Sequence, residues 1–202
     1  MRVAVLASGA GTNLQALIDH AHGRDGVELV AVASDKPGAR ALERARAAGV
    51  ATATFPAGDY ADRDERDGAI AAWLQQQGVR LVVLAGYMQL LSDGFLTAFP
   101  EAVINVHPSL LPAFPGLGAV QQALDYGVQV FGVTVFFVDG GVDTGPILLQ
   151  RAIELPGVAT ADAVLAQLQT VEHALLPEAV RLLAAGRVRF DAAHPRRVLI
   201  DR

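Results

Sequence analysis

Apolar positions fall into two kinds of run, which alternate from the first residues onward. Val3 to Ala7 is continuously apolar and stops at Ser8-Gly9, the pattern of a strand buried on both faces. From Thr12 the spacing changes: Leu14, Leu17, Ile18 and Ala21 recur at helical intervals, with Thr12 or Asn13 placed to cap the start. Val27 to Ala33 predicts a second strand, Ala39 to Ala48 a short helix stopped at Gly49, and Val50 to Phe55 another extended segment. Asp62 to Gln77 predicts a helix with Ile70, Trp73 and Leu74 inward, and Leu81 to Ala85 a wholly apolar strand.

The second half continues the alternation. Ser92 to Phe99 reads as a short helix, Ala102 to Val106 as a buried strand, and His107 to Gly118, rich in Pro and Gly, as an ordered loop. Ala119 to Tyr126 predicts a helix. Val130 to Val138 predicts an apolar strand interrupted only by Gly132 and Thr134. A long loop over 139–146 precedes an extended run from Ile147 to Leu155. A long helix is expected from Thr160 to Ala185, kinked at Pro177, with Val164, Leu165, Leu168, Val171, Leu175, Leu182 and Leu183 facing the core. The tail from Gly186 reads as basic and irregular.

Such alternation predicts an α/β fold: a doubly wound, mainly parallel sheet with helices on both faces. Ligands of these sheets bind beyond the carboxyl ends of the strands. Ser8 to Asn13, Gly86-Tyr87, His107 and Asp139 to Asp143 each follow a predicted strand, so all four are expected on one rim.

A length of 202 residues predicts one domain, set at 1–190, with 191–202 as a C-terminal tail. With 52% hydrophobic and 18% charged residues, the chain has the material for a core and lacks the bias of a disordered protein. A net charge of -5 offers no general footprint for nucleic acid or an anionic membrane, which points to small-molecule partners. The absence of Cys removes thiolate nucleophiles, disulfides and thiolate metal sites, leaving His and carboxylates for acid-base chemistry. Met1 runs straight into a short apolar strand, too short for a signal peptide, so a cytoplasmic protein is expected.

Three stretches carry candidate chemistry. Ser8-Gly9-Ala10-Gly11-Thr12-Asn13 is a glycine turn feeding a helix start, a place where backbone N–H groups favour an anion such as phosphate. A ligand-free turn fits the same residues, since Leu14 stands where a dinucleotide fingerprint has its third glycine. Asn105-Val106-His107-Pro108-Ser109-Leu110-Leu111-Pro112 places an amide and an imidazole on one side of a strand end, where both can reach one reacting carbonyl. The same pair could instead satisfy buried loop groups. Asp143, with Asp139 nearby, lies in a glycine-rich loop; a carboxylate beside His107 would stabilise imidazolium, although Asp is also a common loop former.

The glycine loop, the block Leu84-Ala85-Gly86-Tyr87-Met88, the block Asn105 to Pro112 and the loop Gly141-Val142-Asp143-Thr144-Gly145-Pro146 together resemble the folate-dependent phosphoribosylglycinamide formyltransferase family, over residues 1 to 190. The resemblance implies a Rossmann-like formyltransferase fold. It also implies transfer of the formyl group of 10-formyltetrahydrofolate to the amine of glycinamide ribonucleotide, without a metal, by a monomer or homodimer. Asn105, His107 and Asp143 match the family's catalytic trio. Gly11, Thr12 and Asn13 match its phosphate site, Gly86 and Pro108 further substrate positions, and Gln169 and Glu172 a site for the ribose. Met88, Gln89, Leu90 and Leu91, with Val138, Asp139, Gly140, Gly141, Asn105 and Asp143, match the frame around the pterin, and Arg63 the contact to the folate tail. The chain departs at Gln89, where the family often has Arg, and at Gly118, where it often has His. Methionyl-tRNA formyltransferase would need a tRNA-binding surface, formyltetrahydrofolate hydrolase an added N-terminal domain, and a noncatalytic nucleotide-binding module would leave the trio unexplained.

Overall fold

A computed structural model describes residues 1–201, in two compact units, Met1–Asn105 and Val106 onward. In the first unit, five strands and four helices alternate: β1 (Arg2–Leu6), α1 (Thr12–His20), β2 (Glu28–Ser34), α2 (Arg40–Ala47), β3 (Ala51–Thr54), α3 (Arg63–Gln76), β4 (Leu81–Leu84), α4 (Asp93–Ala98) and β5 (Val103–His107), whose last two residues open the second unit. The strands are ordered β3-β2-β1-β4-β5 and all neighbours are parallel. The chain builds outward from β1 through β2 to β3, then returns to lay β4 on the other side of β1. That reversal leaves a crevice at the carboxyl ends of β1 and β4, where open sheets of this class take their ligands. Its core is the fully buried run of β1 against Leu14 and Leu17 of α1 and Ile70 and Leu74 of α3. Asp62 and Ser92 cap α3 and α4, each accepting from the backbone N–H three residues on.

The second unit contains α5 (Ala119–Tyr126), β6 (Val130–Phe137), β7 (Ile147–Glu154), α6 (Ala161–Ala184), β8 (Val188–Asp191) and β9 (His194–Ile200). Strand β7 runs antiparallel to β6, and β9 bridges in parallel to β7 at Ile147 and Arg197. Helix α6 continues through Pro177 and buries Val164, Leu168, Leu175 and Leu176, whereas Leu165, expected inward, is 43% exposed.

Three expectations are corrected. The tail is not irregular: β8 and β9 form an antiparallel hairpin, with Val188 paired to Ile200 and Phe190 to Val198. Its alternation was hidden by four arginines, and the expected boundary at 190/191 falls inside β8. Neither Thr12 nor Asn13 caps α1; Gly11 is the N-cap, in the left-handed region at φ 69°, and no side chain caps the helix. Trp73 is only half-buried, its ring 5.9 Å from that of Phe55. Among the described residues, no helix is long and apolar enough to cross a membrane.

Candidate active site

Four loops carry most of the candidate residues. In the first unit, the β1–α1 turn is held tight by glycine. A Cβ on Gly11 would lie 2.7 Å from the Ala41 Cα, and the Ala41 N–H donates to the Gly9 carbonyl at 3.1 Å. Only glycine combines that approach with a positive φ. Gly11 caps α1 without a side-chain hydrogen bond, and the first turn of a helix carries the N–H groups and positive dipole end that favour an anion.

Ser8 ties this turn to the loop after β4. Its N–H donates to the Gly86 carbonyl at 3.0 Å and its hydroxyl accepts from the Met88 N–H at 2.9 Å. The hydroxyl thus has a positioning role, consistent with the absence of a nucleophile-elbow sequence around it. Beneath that loop, Arg66 and Asp67 of α3 form a buried ion pair at 2.8 Å, and the Asp67 carboxylate accepts from the Ser92 N–H at 2.6 Å. Tyr87 packs beside them. Burial pushes its phenol up to about 12, with Asp67 and Asp35 acting in the same direction and the Arg66 guanidinium opposing. Arg63 is exposed at the start of α3, while Met88 and Leu90 project into solvent at 61% and 60% exposure.

The second unit brings His107 and Asp143 together. The Asp143 carboxylate lies 3.3 Å from Nδ1 of His107, both side chains being nearly buried, and also accepts from the Gly116 N–H at 2.7 Å. Nε2 of His107 stands 2.9 Å from the Phe114 carbonyl. The imidazole therefore has an acceptor oxygen near each ring nitrogen, a carboxylate at one and a neutral carbonyl at the other. Asn105 lies two residues before His107 on β5, so strand alternation puts both on one face.

The loops around this pair are tightly made. Asp143 itself adopts φ 54°, a left-handed conformation that Asp and Asn tolerate better than most residues. Asp139 is a loop former: its carboxylate accepts from the Gly141 N–H at 3.1 Å and from the Thr144 hydroxyl at 2.6 Å. A Cβ on Gly145 would run into the Phe137 carbonyl. Arg196 of β9 donates to the Thr144 carbonyl, so the C-terminal hairpin braces the loop that carries Asp143.

Two positions whose role sequence reasoning missed sit in β6. Thr134 is fully buried; its hydroxyl donates to the Ser109 carbonyl at 2.7 Å and accepts from the Leu111 N–H at 3.1 Å and the Gln150 amide at 3.0 Å. Gly132 leaves space for Leu110, since a Cβ there would collide with the Leu110 side chain. Together they seat the segment after His107, which includes the cis Leu111-Pro112 peptide. The available signal was their being the only two breaks in an otherwise apolar strand. Gln169 and Glu172 lie three apart on α6, on one helix face, the first exposed and the second half-buried.

The family model described as formyl transferase matches residues 1–180. The phosphoribosylglycinamide formyltransferase of Bacillus subtilis (strain 168) is 39% identical over 193 residues, covering 95% of this chain and 99% of that protein. The Escherichia coli (strain K12) protein of the same name is 39% identical over 191 residues, covering 94% of this chain and 90% of its own length. Among solved structures, glycinamide ribonucleotide transformylase 1 from Symbiobacterium toebii superposes with a TM-score of 0.95 at 47% identity, covering 100% of this chain and 94% of that one.

Proposed function

Because the chain belongs to the formyl transferase family, we propose that it transfers the formyl group of 10-formyltetrahydrofolate to the primary amine of glycinamide ribonucleotide, a step of purine biosynthesis. The observation that carries this reading is the His107–Asp143 pair, an imidazole 3.3 Å from a carboxylate at the end of the buried strand β5.

The amine attacks the formyl carbon and the carbonyl oxygen becomes an oxyanion in a tetrahedral intermediate. His107 donates to that oxygen from Nε2, giving up the neutral Phe114 carbonyl for a charged acceptor, which forms the stronger hydrogen bond. The Asn105 amide supplies a second donor, and a donor of this kind contributes ~3 kcal/mol to the transition state. Asp143 balances the imidazolium and, through water, helps carry the proton from the attacking nitrogen to the departing folate nitrogen. Collapse of the intermediate then breaks the bond to the folate and leaves the formyl group on the glycinamide nitrogen.

Binding roles follow the same reading. The N–H groups of the Gly11-Thr12-Asn13 turn hold the phosphate, Gln169 and Glu172 the ribose, and Gly86 and Pro108 line the path of the glycinamide. The loop from Met88 to Leu91 and the segment Val138 to Gly141 frame the pterin, and Arg63 meets the acidic folate tail. The protein works on small molecules, in the cytoplasm, as a monomer or homodimer.

The test is release of tetrahydrofolate, followed by absorbance, in three arms: glycinamide ribonucleotide, a methionyl-tRNA acceptor, and no acceptor. Turnover that needs the ribonucleotide supports the reading. Turnover with the tRNA, or equal turnover with no acceptor, would replace it by one of the related folate-dependent activities.

A further inference from the structure

Between the two outward side chains of Met88 and Leu90, the side chain of Gln89 turns inward. Its Oε1 accepts from Nη1 of Arg66 at 3.1 Å, and its Nε2 donates to Oδ2 of Asp35 at 3.1 Å. Asp35 stands just after β2 and is buried; its other oxygen meets no donor, so Gln89 supplies the hydrogen bond to this carboxylate. Arg66 is 3% exposed, and its remaining donors go to Asp67 and to the Leu90 carbonyl at 3.3 Å.

The chemistry of this bridge is restrictive. Arg66 needs an acceptor and Asp35 needs a donor, and a planar amide offers both on one group. A carboxylate at 89 would suit Arg66 but repel Asp35. A guanidinium would suit Asp35 but stand against Arg66. Since Asp35 and Arg66 are buried and Gln89 is half-buried, either mismatch sets a charge against a buried charge of the same sign.

We propose that Gln89 is a positioning residue: as the link in an Arg66–Gln89–Asp35 relay, it fixes the 86–92 loop so that Met88 and Leu90 present an apolar edge to the folate. The inference rests on the reading that this loop frames the pterin. Gln89 then acts on folate binding through the loop backbone rather than by touching the ligand.

The experiment uses Gln89→Glu, Gln89→Arg, and the compensated pair Gln89→Glu with Asp35→Asn. The pair restores one donor and one acceptor to the bridge and leaves Arg66 on Asp67. Amide hydrogen exchange over residues 86–92 is measured in the ligand-free protein, and KM for 10-formyltetrahydrofolate and for the ribonucleotide, with kcat, in the assay. The single variants should exchange faster in this loop and raise the folate KM on the order of tenfold, with the ribonucleotide KM unchanged. The compensated pair should recover both readouts. Wild-type exchange and KM in both single variants would overturn the proposal, as would a pair that regains neither readout, or one that regains loop protection but not folate KM, because that last pattern means direct contact at 89. Exchange judges the relay even if the chain proves to lack the transfer activity, so the two readings fail separately.

Discussion

Replacing Asp143 with asparagine removes a charge from the candidate site and leaves its shape in place. Asn tolerates the left-handed φ of 54°, and its amide oxygen can still accept the Gly116 N–H now bonded at 2.7 Å. What disappears is the attraction between the carboxylate and the imidazolium that the proposed mechanism requires 3.3 Å away. At an effective dielectric constant of about 20, that attraction is on the order of 5 kcal/mol before desolvation is subtracted. The cost of removing both groups from water reduces the net value to that of a strong charged hydrogen bond, ~2 to 3 kcal/mol. If that stabilisation is needed to keep His107 a cation while the oxyanion develops, Asp143→Asn lowers kcat by a factor on the order of 100. Single-turnover quench with both substrates saturating reads the step directly, and KM values should change little because binding does not use the charge. Asp143→Ala serves as the contrast: it also strains the backbone and orphans the Gly116 N–H, so it should lose stability as well as rate. Asp143→Asn with kcat within a few-fold of wild type would refute the role of the carboxylate and reduce Asp143 to a loop residue.

Thr12→Glu puts a negative charge at the start of α1 and should raise KM for the ribonucleotide far more than KM for the folate; equal changes would remove the phosphate from this turn. Thr134→Val deletes a buried hydroxyl with three partners and should destabilise the protein by roughly 2 to 4 kcal/mol in urea unfolding, with a fall in kcat because the segment after His107 loosens. An unaffected midpoint would show that the hydroxyl does not pin that segment. The Tyr87 hydroxyl is buried without a hydrogen-bond partner and its phenol is pushed up to about 12 by burial. Its neutral form therefore contributes stability that is complete below the ordinary value near 10 and is lost as pH rises through 12. Tyr87→Phe should be neutral or stabilising near pH 7 and should lose less stability than wild type between pH 10 and 12; a tyrosinate difference titration centred near 10 would contradict the burial argument.

The fold was legible in the sequence where one period governed a whole segment. The continuous apolar runs of β1 and β4, the β5 run broken by Asn105, and the helical spacing of α1 and α5 predict their elements to within a residue or two, because a strand buried on both faces is mostly apolar. The tail was not legible: β8 and β9 are only partly buried, and arginines at 187, 189, 196 and 197 conceal a two-residue period behind charge. His107 and Asp143 could be singled out by residue type and by their places after strands, yet their pairing depends on a positive φ at Asp143 that no local pattern encodes. The inward turn of Gln89 was also hidden, since its partners lie 23 and 54 residues away in sequence. Thr134 and Gly132 are the intermediate case: each was visible as an interruption, but the reason for it lies in Leu110 and Ser109 across the unit.

The most direct test follows the fate of the formyl carbon. The purified protein is given 10-formyltetrahydrofolate labelled with carbon-13 in the formyl group, together with glycinamide ribonucleotide, and the label is followed by NMR. The account predicts that the label moves to a formamide on the glycinamide nitrogen, one for each tetrahydrofolate released, and that Asp143→Asn slows this movement without diverting it. Label appearing as free formate, or remaining on the folate while the ribonucleotide is unchanged, would contradict the account.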